Sequence, residues 1–480
     1  MRLSSAFFTT ALPQGELLVK HAASTAAVGD STTWLQKDEE VFVAFDSREI
    51  QPGNLFIALK GNTVDGHSFI ESVLRAGAVA LLISDKAALD AVPADLWQGQ
   101  LIIVVPDTLQ AFVALAIAWR SQLTMPIVAI TGSVGKTTTK EMMRAIFTAA
   151  GVECTVSLKN QNTTIGLCST ILNIKTSHKV AVCEVGISLQ GEMISRVAIL
   201  RPTIGVITNI GHMHGAGLGG FSGILFEKLQ IFKFFETNNV GIINGDQALL
   251  TDAYYSHPIA KFGFKTKNQV QARKIMVRAG TDGLLKTSFT LKWYGNRADV
   301  KLSGGHHGYV ANALAASTVA YFLNIPFTAV IAGLEQYQGF ADRFQLHALK
   351  AGTGQLISDC YNAGPESMRG AIEAFGKMPA VGKKVAVIGD MLELGEKEIF
   401  WNRQVGRMIA KVGGIDEVIL VGSLAASAKN TLPFRTKVAL AATWKEAVPL
   451  LEQAIGKHAL VLVKGSRGVA LKNLVEAFVA

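Results

Sequence analysis

The hydrophobic positions of this chain fall into short β-branched runs separated by longer amphipathic stretches. Ile127–Ile130, Val180–Val185, Ile204–Asn209 and Val240–Asn244 are nearly continuous apolar runs, as expected of strands buried on both faces of a parallel sheet. Upstream, Val41–Phe45, Asn54–Leu59 and Ala78–Ile83 predict short strands, with a helix near Ser68–Ala76. Downstream, Lys384–Gly389, Val418–Gly422 and Leu460–Gly465 predict strands with helical stretches between them, a doubly wound α/β pattern. Three such groups predict an α/β protein of three domains. These are a small N-terminal α/β unit over 1–106, a central parallel-sheet unit over 107–335 and a C-terminal Rossmann-like unit over 336–480.

The first of the central runs leads into Thr131-Gly132-Ser133-Val134-Gly135-Lys136-Thr137-Thr138, and an amphipathic stretch from Met142 to Ala150 follows. Strand, glycine loop and helix in that order make a phosphate cradle. Glycines let backbone N–H groups curl around an anion, and the helix N-terminus adds partial positive charge. Gly132, Ser133, Gly135, Lys136, Thr137 and Thr138 are therefore candidate ATP contacts, with Lys136 reaching the terminal phosphates and the Thr137 hydroxyl available to Mg2+. The usual loop has a further glycine where this chain has Ile130, which argues against ordinary P-loop GTPases and kinases.

Two residues downstream suit a metal beside the phosphates. Glu184 closes one strand run and His214 follows another, and strand C-terminal ends face the ligand crevice in such sheets. Lys228, in a helical stretch after the glycine-rich segment Gly215–Gly223, reads on spacing alone as a solvated lysine.

Composition narrows the class. With 49% hydrophobic and 17% charged residues in 480, the chain has ample material for buried cores. The net charge of +9 comes without a basic run or basic–aromatic interleaving, so it points to anionic small substrates and not to nucleic acid. No apolar stretch reaches membrane-spanning length. The opening residues Met1–Phe8 read as a first helix, not a signal segment. Four cysteines without C-x-x-C spacing predict reduced thiols and a cytoplasmic location.

Longer strings carry a resemblance. Asp46-Ser47-Arg48 with Pro52-Gly53-Asn54-Leu55-Phe56, and Gly61 with Asp65-Gly66-His67, look like the D-S-R…P-G-x-L-F and G-x-x-x-D-G-H signatures of a UDP-sugar-binding domain. The T-G-x-x-G-K-T loop, Glu184–Gly186, Thr208–His214, Asn312–Ala316, Asp342-Arg343-Phe344, Asp359–Pro365, Gly389–Glu396 and Lys464–Gly468 continue it. Over nearly its whole length the chain resembles the Mur ligases, a family of ATP-dependent amide-forming enzymes. The Y-N-A-x-P and G-D-M-L-E-L-G-E strings favour the branch that adds D-alanyl-D-alanine to a UDP-muramoyl tripeptide, and no D-N-P-R-type amino-acid selector of a neighbouring branch is present.

The resemblance implies roles. Lys136 would contact the β- and γ-phosphates, while Thr137, Glu184, His214 and Lys228 would organise two Mg2+ ions, Lys228 as a carbamate. Asn312 would face adenine, Arg343 the phosphates and Asp359 the ribose. Ser47, Arg48, Asp65, His67, Asn160, Asn162, Thr163 and Thr164 would contact the UDP-substrate, and Tyr361 and Asn362 would lie near D-alanyl-D-alanine. The carbamate is physically reasonable, because an ammonium would repel magnesium whereas the carbamate is an anion. Only neutral lysine reacts with carbon dioxide, and with an ordinary pKa only about one lysine in a few thousand is neutral at pH 7. The site must therefore depress that pKa by burial and neighbouring cations.

The implied chemistry is an acyl-phosphate ligation by a monomer acting on UDP-muramoyl tripeptide and D-alanyl-D-alanine, without nucleic acid or membrane insertion. The third residue of the tripeptide, meso-diaminopimelate or lysine, stays open. Departures from the family pattern are Ile187-Ser188-Leu189 for A-N-H, Thr163-Thr164 before Ile165-Gly166, altered spacing around Gly305–Asn312, Ser358 for an acid and Gly364 for an asparagine. The alternatives left open are a sister ligase of the same superfamily, a non-catalytic binder of UDP-muramoyl peptides and a generic P-loop ATPase.

Overall fold

The computed structural model describes residues 5–21, 24–27, 41–158, 161–212, 215–279, 285–304, 307–339, 342–350 and 354–479. Twenty-one strands form three sheets among them. The first contains β1 (Glu16–His21), β2 (Ser24–Ala27), β3 (Val43–Ala44), β4 (Leu55–Ile57), β5 (Ala80–Ile83) and β6 (Leu101–Val104) in the order β2-β1-β6-β5-β4-β3. Strands β3 to β6 run parallel, and β1 closes the edge of β6 antiparallel.

The second sheet contains β7 (Ile127–Thr131), β8 (Cys154–Val156), β9 (Val180–Glu184), β10 (Ile204–Ile207), β11 (Val240–Asn244), β12 (Ile259–Gly263), β13 (Val270–Ala279), β14 (Leu285–Trp293) and β15 (Asn296–Ser303). Its order is β15-β14-β13-β12-β11-β10-β7-β9-β8. The four predicted apolar runs are its central strands. Every residue of β7, β9 and β10 is buried, which is why these segments show no polar alternation. Strands β13 to β15 form an antiparallel meander that extends the parallel part. The meander was not anticipated, because its exposed face carries Lys and Arg at alternate positions and dilutes the apolar signal.

The third sheet contains β16 (Gln345–Ala348), β17 (Gly354–Asp359), β18 (Lys384–Gly389), β19 (Glu417–Val421), β20 (Lys437–Ala441) and β21 (Ala459–Lys464), in the order β16-β17-β21-β18-β19-β20. Alternation along its strands sorts two cores. Ala386, Ile388, Val418, Leu420 and Leu462 pack with Met368, Ile372 and Phe375 of the helix Pro365–Lys377 and with Val405 and Ile409 of the helix Glu398–Val412. Val385, Val387, Ile419, Val421, Val461 and Val463 face the other way, onto Leu451 of the helix Trp444–Ala454 and Leu474 and Phe478 of the helix Leu471–Phe478. This is the doubly wound arrangement predicted.

Two compact units share the chain. One comprises Met1–Ala129, Glu153–Gly186 and Ile194–Thr203, and the other Ile130–Val152, Ile187–Met193 and Ile204–Ala480. Among the described residues no helix is long and apolar enough to cross a membrane. All four cysteines are free thiols.

Candidate active site

Strand β7 stays fully buried through Ile130, so the chain turns only after Thr131. This accounts for the isoleucine where a longer loop has glycine. Gly132 turns with φ +146° and Gly135 with φ +90°, conformations that L side chains rarely adopt. A Cβ on Gly132 would collide with the Thr208 Oγ1, and one on Gly135 with the Asn312 Oδ1. The loop is bonded to the chain leaving β10. Ser133 N–H donates to the Asn209 carbonyl at 3.2 Å, and Val134 N–H donates to Asn209 Oδ1 at 2.9 Å. The Ser133 Oγ donates to the Gly211 carbonyl at 3.1 Å and accepts from its N–H at 2.8 Å.

The helix Lys136–Ala149 starts at the lysine itself, so the open N–H groups of its first turn face the loop. The amphipathic signal begins only at Met142 because Thr137, Thr138, Thr139 and Lys140 are polar yet buried. Lys136 Nζ donates to the Gly132 carbonyl at 2.6 Å and so lies across the loop.

Within the same unit, Lys228 sits on the helix Gly220–Leu229 and is 2% exposed. Burial first, and the charge of Lys136 second, push its ammonium well below the ordinary range, opposed by Glu227. The Glu227 Oε1 accepts from Met193 N–H at 2.8 Å. The lysine that spacing alone made a solvated residue is thus buried and strongly perturbed beside the phosphate-loop lysine.

Arg343 also reaches this loop. Its guanidinium lies over the Tyr361 ring, 4.0 Å from the centroid, and Nη2 approaches Thr137 Oγ1 at 3.5 Å. Its Nε is buried without a hydrogen-bond partner among the described residues. Asp342 and Phe344, on either side of it, both hold positive φ (+55° and +54°), a strained pair that fixes the direction of the arginine. The Tyr309 hydroxyl donates to the Arg343 carbonyl at 2.7 Å. Asp359 ends β17 and pairs with Lys464 at 2.8 Å, while its Oδ1 accepts from Phe344 N–H at 3.3 Å. Lys464 also donates to the Asn362 carbonyl at 3.2 Å.

The first unit carries the remaining candidates. Glu184 ends β9, 2% exposed, and its Oε1 accepts from Asn162 Nδ2 at 3.2 Å. Thr163 caps the helix Thr164–Leu172 by accepting from Gly166 N–H at 3.4 Å. Near the first sheet, Arg48 folds back onto Asp46 and is 86% exposed at its side chain, with Ser47 in the same turn. His67 is buried. Its Nε2 accepts from Ser84 N–H at 2.9 Å, so Nδ1 carries the proton and donates to Asp65 at 2.7 Å. Hydrogen bonds from the His67 backbone, then from its ring, hold the Asp65 carboxyl below its usual range.

The structure therefore gathers Lys136, Thr137, Lys228, Asn312, Arg343 and Tyr361 around one loop, and Asn162, Thr163 and Glu184 in the other unit. His214 and Asn160 lie outside the described residues. Lys464, Tyr309 and the bond from Asn162 to Glu184 were not foreseen as site features. For Lys464 the signal was present, a lysine between an apolar run and a glycine. The residues gathered in the second unit fit a magnesium nucleotide, since the unpartnered Arg343 Nε and the glycine-lined loop suit anionic oxygens, and Thr137 is a hard oxygen donor.

Comparison with known proteins agrees. The Mur ligase middle domain matches residues 130–320, the Mur ligase glutamate ligase domain 342–467, and the Mur ligase family catalytic domain 41–120. The UDP-N-acetylmuramoyl-tripeptide–D-alanyl-D-alanine ligase of Bacillus subtilis is 34% identical over 441 residues, 90% of this chain and 92% of that protein. Its counterpart from Escherichia coli is 34% identical over 445 residues, 91% and 93% of the two chains. A crystal structure of MurF from Acinetobacter baumannii superposes with TM-score 0.81 at 28% identity over 99% of both chains. The MurF ligase of Thermotoga maritima in complex with ADP gives 0.74 at 26%, covering 91% of this chain and 96% of that one. The folylpolyglutamate synthase of Mycobacterium tuberculosis, at 15% identity and TM-score 0.59, shares the fold alone. The chain belongs to the Mur ligase family.

Proposed function

We propose that this chain is an ATP-dependent ligase that joins D-alanyl-D-alanine to UDP-N-acetylmuramoyl-tripeptide, giving the pentapeptide precursor of peptidoglycan with ADP and phosphate. The observation that carries the reading is the loop Gly132–Thr137 with Lys136, Lys228, Asn312 and Arg343 about it, in a chain a third identical to such ligases over nine-tenths of its length. The three regions 1–106, 107–335 and 336–480 would then handle the UDP-sugar, the nucleotide and the incoming dipeptide.

The terminal carboxylate of the tripeptide attacks the γ-phosphorus of ATP, and the bond to the β-phosphate oxygen breaks, leaving ADP and an acyl phosphate. The amine of D-alanyl-D-alanine then attacks the acyl carbon, the carbon–oxygen bond to phosphate breaks, and the amine loses a proton. Lys136 and Arg343 stabilise negative charge on the transferring group. Thr137, Glu184 and His214, with Lys228 as a carbamate, would hold magnesium, which supplies further neutralisation of the phosphate oxygens. Asn162 orients Glu184 by its 3.2 Å bond. Burial and the neighbouring Lys136 favour the neutral amine of Lys228, the form that attacks carbon dioxide and gives up a proton. Asn312 and Asp359 would bind adenine and ribose. Ser47, Arg48, Asp65, His67, Asn160, Thr163 and Thr164 would meet the UDP-substrate, and Tyr361 and Asn362 the dipeptide.

The test is phosphate release with UDP-muramoyl tripeptides ending in meso-diaminopimelate or lysine, with mass analysis of the product. Wild type should release phosphate only with tripeptide and D-alanyl-D-alanine together. Lys136→Ala should stay folded and lose about 100-fold or more in kcat. Release indifferent to muramoyl peptides, or a nearly active Lys136→Ala, would overturn the assignment.

A further inference from the structure

Outside the groups that touch the nucleotide, one carboxylate grips a segment that holds the phosphate loop. The segment is Thr208–His212, which leaves β10. Two of its anchors come from the nucleotide half of its own unit. Ser133 and Val134 of the phosphate loop bond to Asn209 and Gly211, as described above. Gln247 brackets Ile210, accepting from its N–H at 2.7 Å and donating to its carbonyl at 2.9 Å.

The third anchor comes from the third sheet. Glu366 lies in the first turn of the helix Pro365–Lys377, directly after the Tyr361–Gly364 segment. Its Oε1 accepts from His212 N–H at 3.3 Å and from His212 Nδ1 at 2.9 Å. The His212 ring is then held between Phe221 and Trp401, at 4.8 and 4.6 Å between centroids. A Cβ on Gly211 would come within 2.7 Å of the Glu366 carboxyl carbon, so a side chain there would displace this carboxylate. Glu366 Oε2 is buried without a hydrogen-bond partner among the described residues. The same carboxylate oxygen thus grips both the backbone and the ring of His212, in a pair that is half-buried.

We propose that Glu366 is a positioning residue for the ligation. Through His212 it ties the helix behind the Tyr361–Gly364 segment to the segment Thr208–His212, which clamps the phosphate loop. The placement of that helix and the alignment of the phosphate loop are then coupled. Glu366 need touch neither ATP nor metal, since it acts through the backbone of His212. The inference rests on the ligase reading above.

The experiment compares wild type with Glu366→Ala, Glu366→Gln, His212→Ala and the Glu366→Ala/His212→Ala double variant, all as full-length protein. Phosphate release is measured at varied ATP. Glu366→Ala should lower kcat by about 10- to 100-fold with a much smaller change in the KM for ATP, within about threefold, because the phosphate loop stays formed and only the clamp that aligns it is loosened. Glu366→Gln keeps a carbonyl acceptor for both N–H groups and should recover most of the loss. The double variant should be little worse than Glu366→Ala, since the two residues act as one contact. Additive losses, a Glu366→Gln as impaired as Glu366→Ala, or a Glu366→Ala within twofold of wild type would each overturn the proposal. A wild type that releases no tripeptide-dependent phosphate would instead sink the ligase reading, so the two failures are separable.

Discussion

Replacing Lys464 by methionine isolates the buried ion pair that ends the third sheet. Lys464 is 1% exposed at its side chain, and its ammonium is spent on three acceptors. These are Asp359 Oδ2 at 2.8 Å, the Asp359 carbonyl at 3.4 Å and the Asn362 carbonyl at 3.2 Å. Methionine fills much the same volume, so the loss is one of charge and hydrogen bonds, not of packing. Breaking one side of a buried pair costs about 3–5 kcal/mol. Here the carboxylate keeps the Phe344 N–H at 3.3 Å and is 15% exposed, so water relieves part of the penalty. The lower end, about 3 kcal/mol, is the better figure. With about 2–4 °C per kcal/mol, the unfolding midpoint should drop by about 6–12 °C. Asp359→Asn added to that variant removes the stranded charge and should recover about 1–2 kcal/mol, a sign that distinguishes electrostatics from a general loss of fit. Thermal unfolding followed by circular dichroism, with urea midpoints as a second measure, reads both effects. A Lys464→Met midpoint within 1–2 °C of wild type (about 0.5 kcal/mol), or a double variant no better than the single, would refute the reasoning.

Two more predictions test the perturbed lysine and the first sheet. The folded-state pKa of Lys228 lies below its ordinary value of 10.5, so unfolding takes up a proton and this group's contribution to stability rises with pH across the interval between the two values. Lys228→Met removes that slope. In bicarbonate-free buffer its stability advantage over wild type should be largest near pH 6 and shrink toward about pH 9, while added bicarbonate should raise the activity of wild type only. Parallel urea midpoints across that range would show that the lysine is not desolvated. Asn173 clamps the edge strand β3, accepting from Val43 N–H at 2.8 Å and donating to its carbonyl at 2.9 Å. Asn173→Ala should cost about 1–3 kcal/mol and raise the KM for the UDP-tripeptide but not for ATP, because β3 leads into Asp46-Ser47-Arg48. An unchanged KM in both would separate that turn from substrate binding.

Legibility in the sequence followed the kind of burial. Strands β7, β9, β10 and β11 lie inside the sheet and announced themselves as unbroken apolar runs. Strands β13 to β15 have one wet face, and the lysines and arginines there blurred the period. The phosphate loop was legible because its chemistry is local, a short loop turning at Gly132 and Gly135, where positive φ favours glycine. Lys228 was not, because its environment comes from distant segments. Nothing in Phe226-Glu227-Lys228-Leu229 says that the ammonium is buried or that Lys136 faces it. Asn162 was expected among substrate contacts, and its bond to Glu184 depends on where β9 ends relative to the Asn162–Thr163 cap, a tertiary fact. Long-range contacts of side chains leave no periodic trace, so the partners of Glu184, Gly211 and Arg343 had to come from the structure.

The cations of the second unit show why such a site is held by a large scaffold. Lys464 has its own carboxylate and contributes order to the Tyr361–Gly364 segment. Arg343 has a π face, a hydroxyl at 3.5 Å and a buried Nε left over. Lys228 has lost most of its solvent, and the charge of Lys136 disfavours its protonation. Lys464 is paired, Arg343 at the phosphate loop has no carboxylate among its described partners, and Lys228, neutral by preference, adds no positive charge, so compensation of the cations falls from Lys464 to Arg343. An arrangement optimised for stability would run the other way, pairing each buried cation locally. The deficit is the preorganised field that an anionic transition state needs, because donors already fixed and desolvated do not have to be reoriented during the reaction. The cost of holding it falls on the apolar strands behind the site, which is why β7, β9 and β10 have no exposed residue and why the loop glycines leave no room for a side chain.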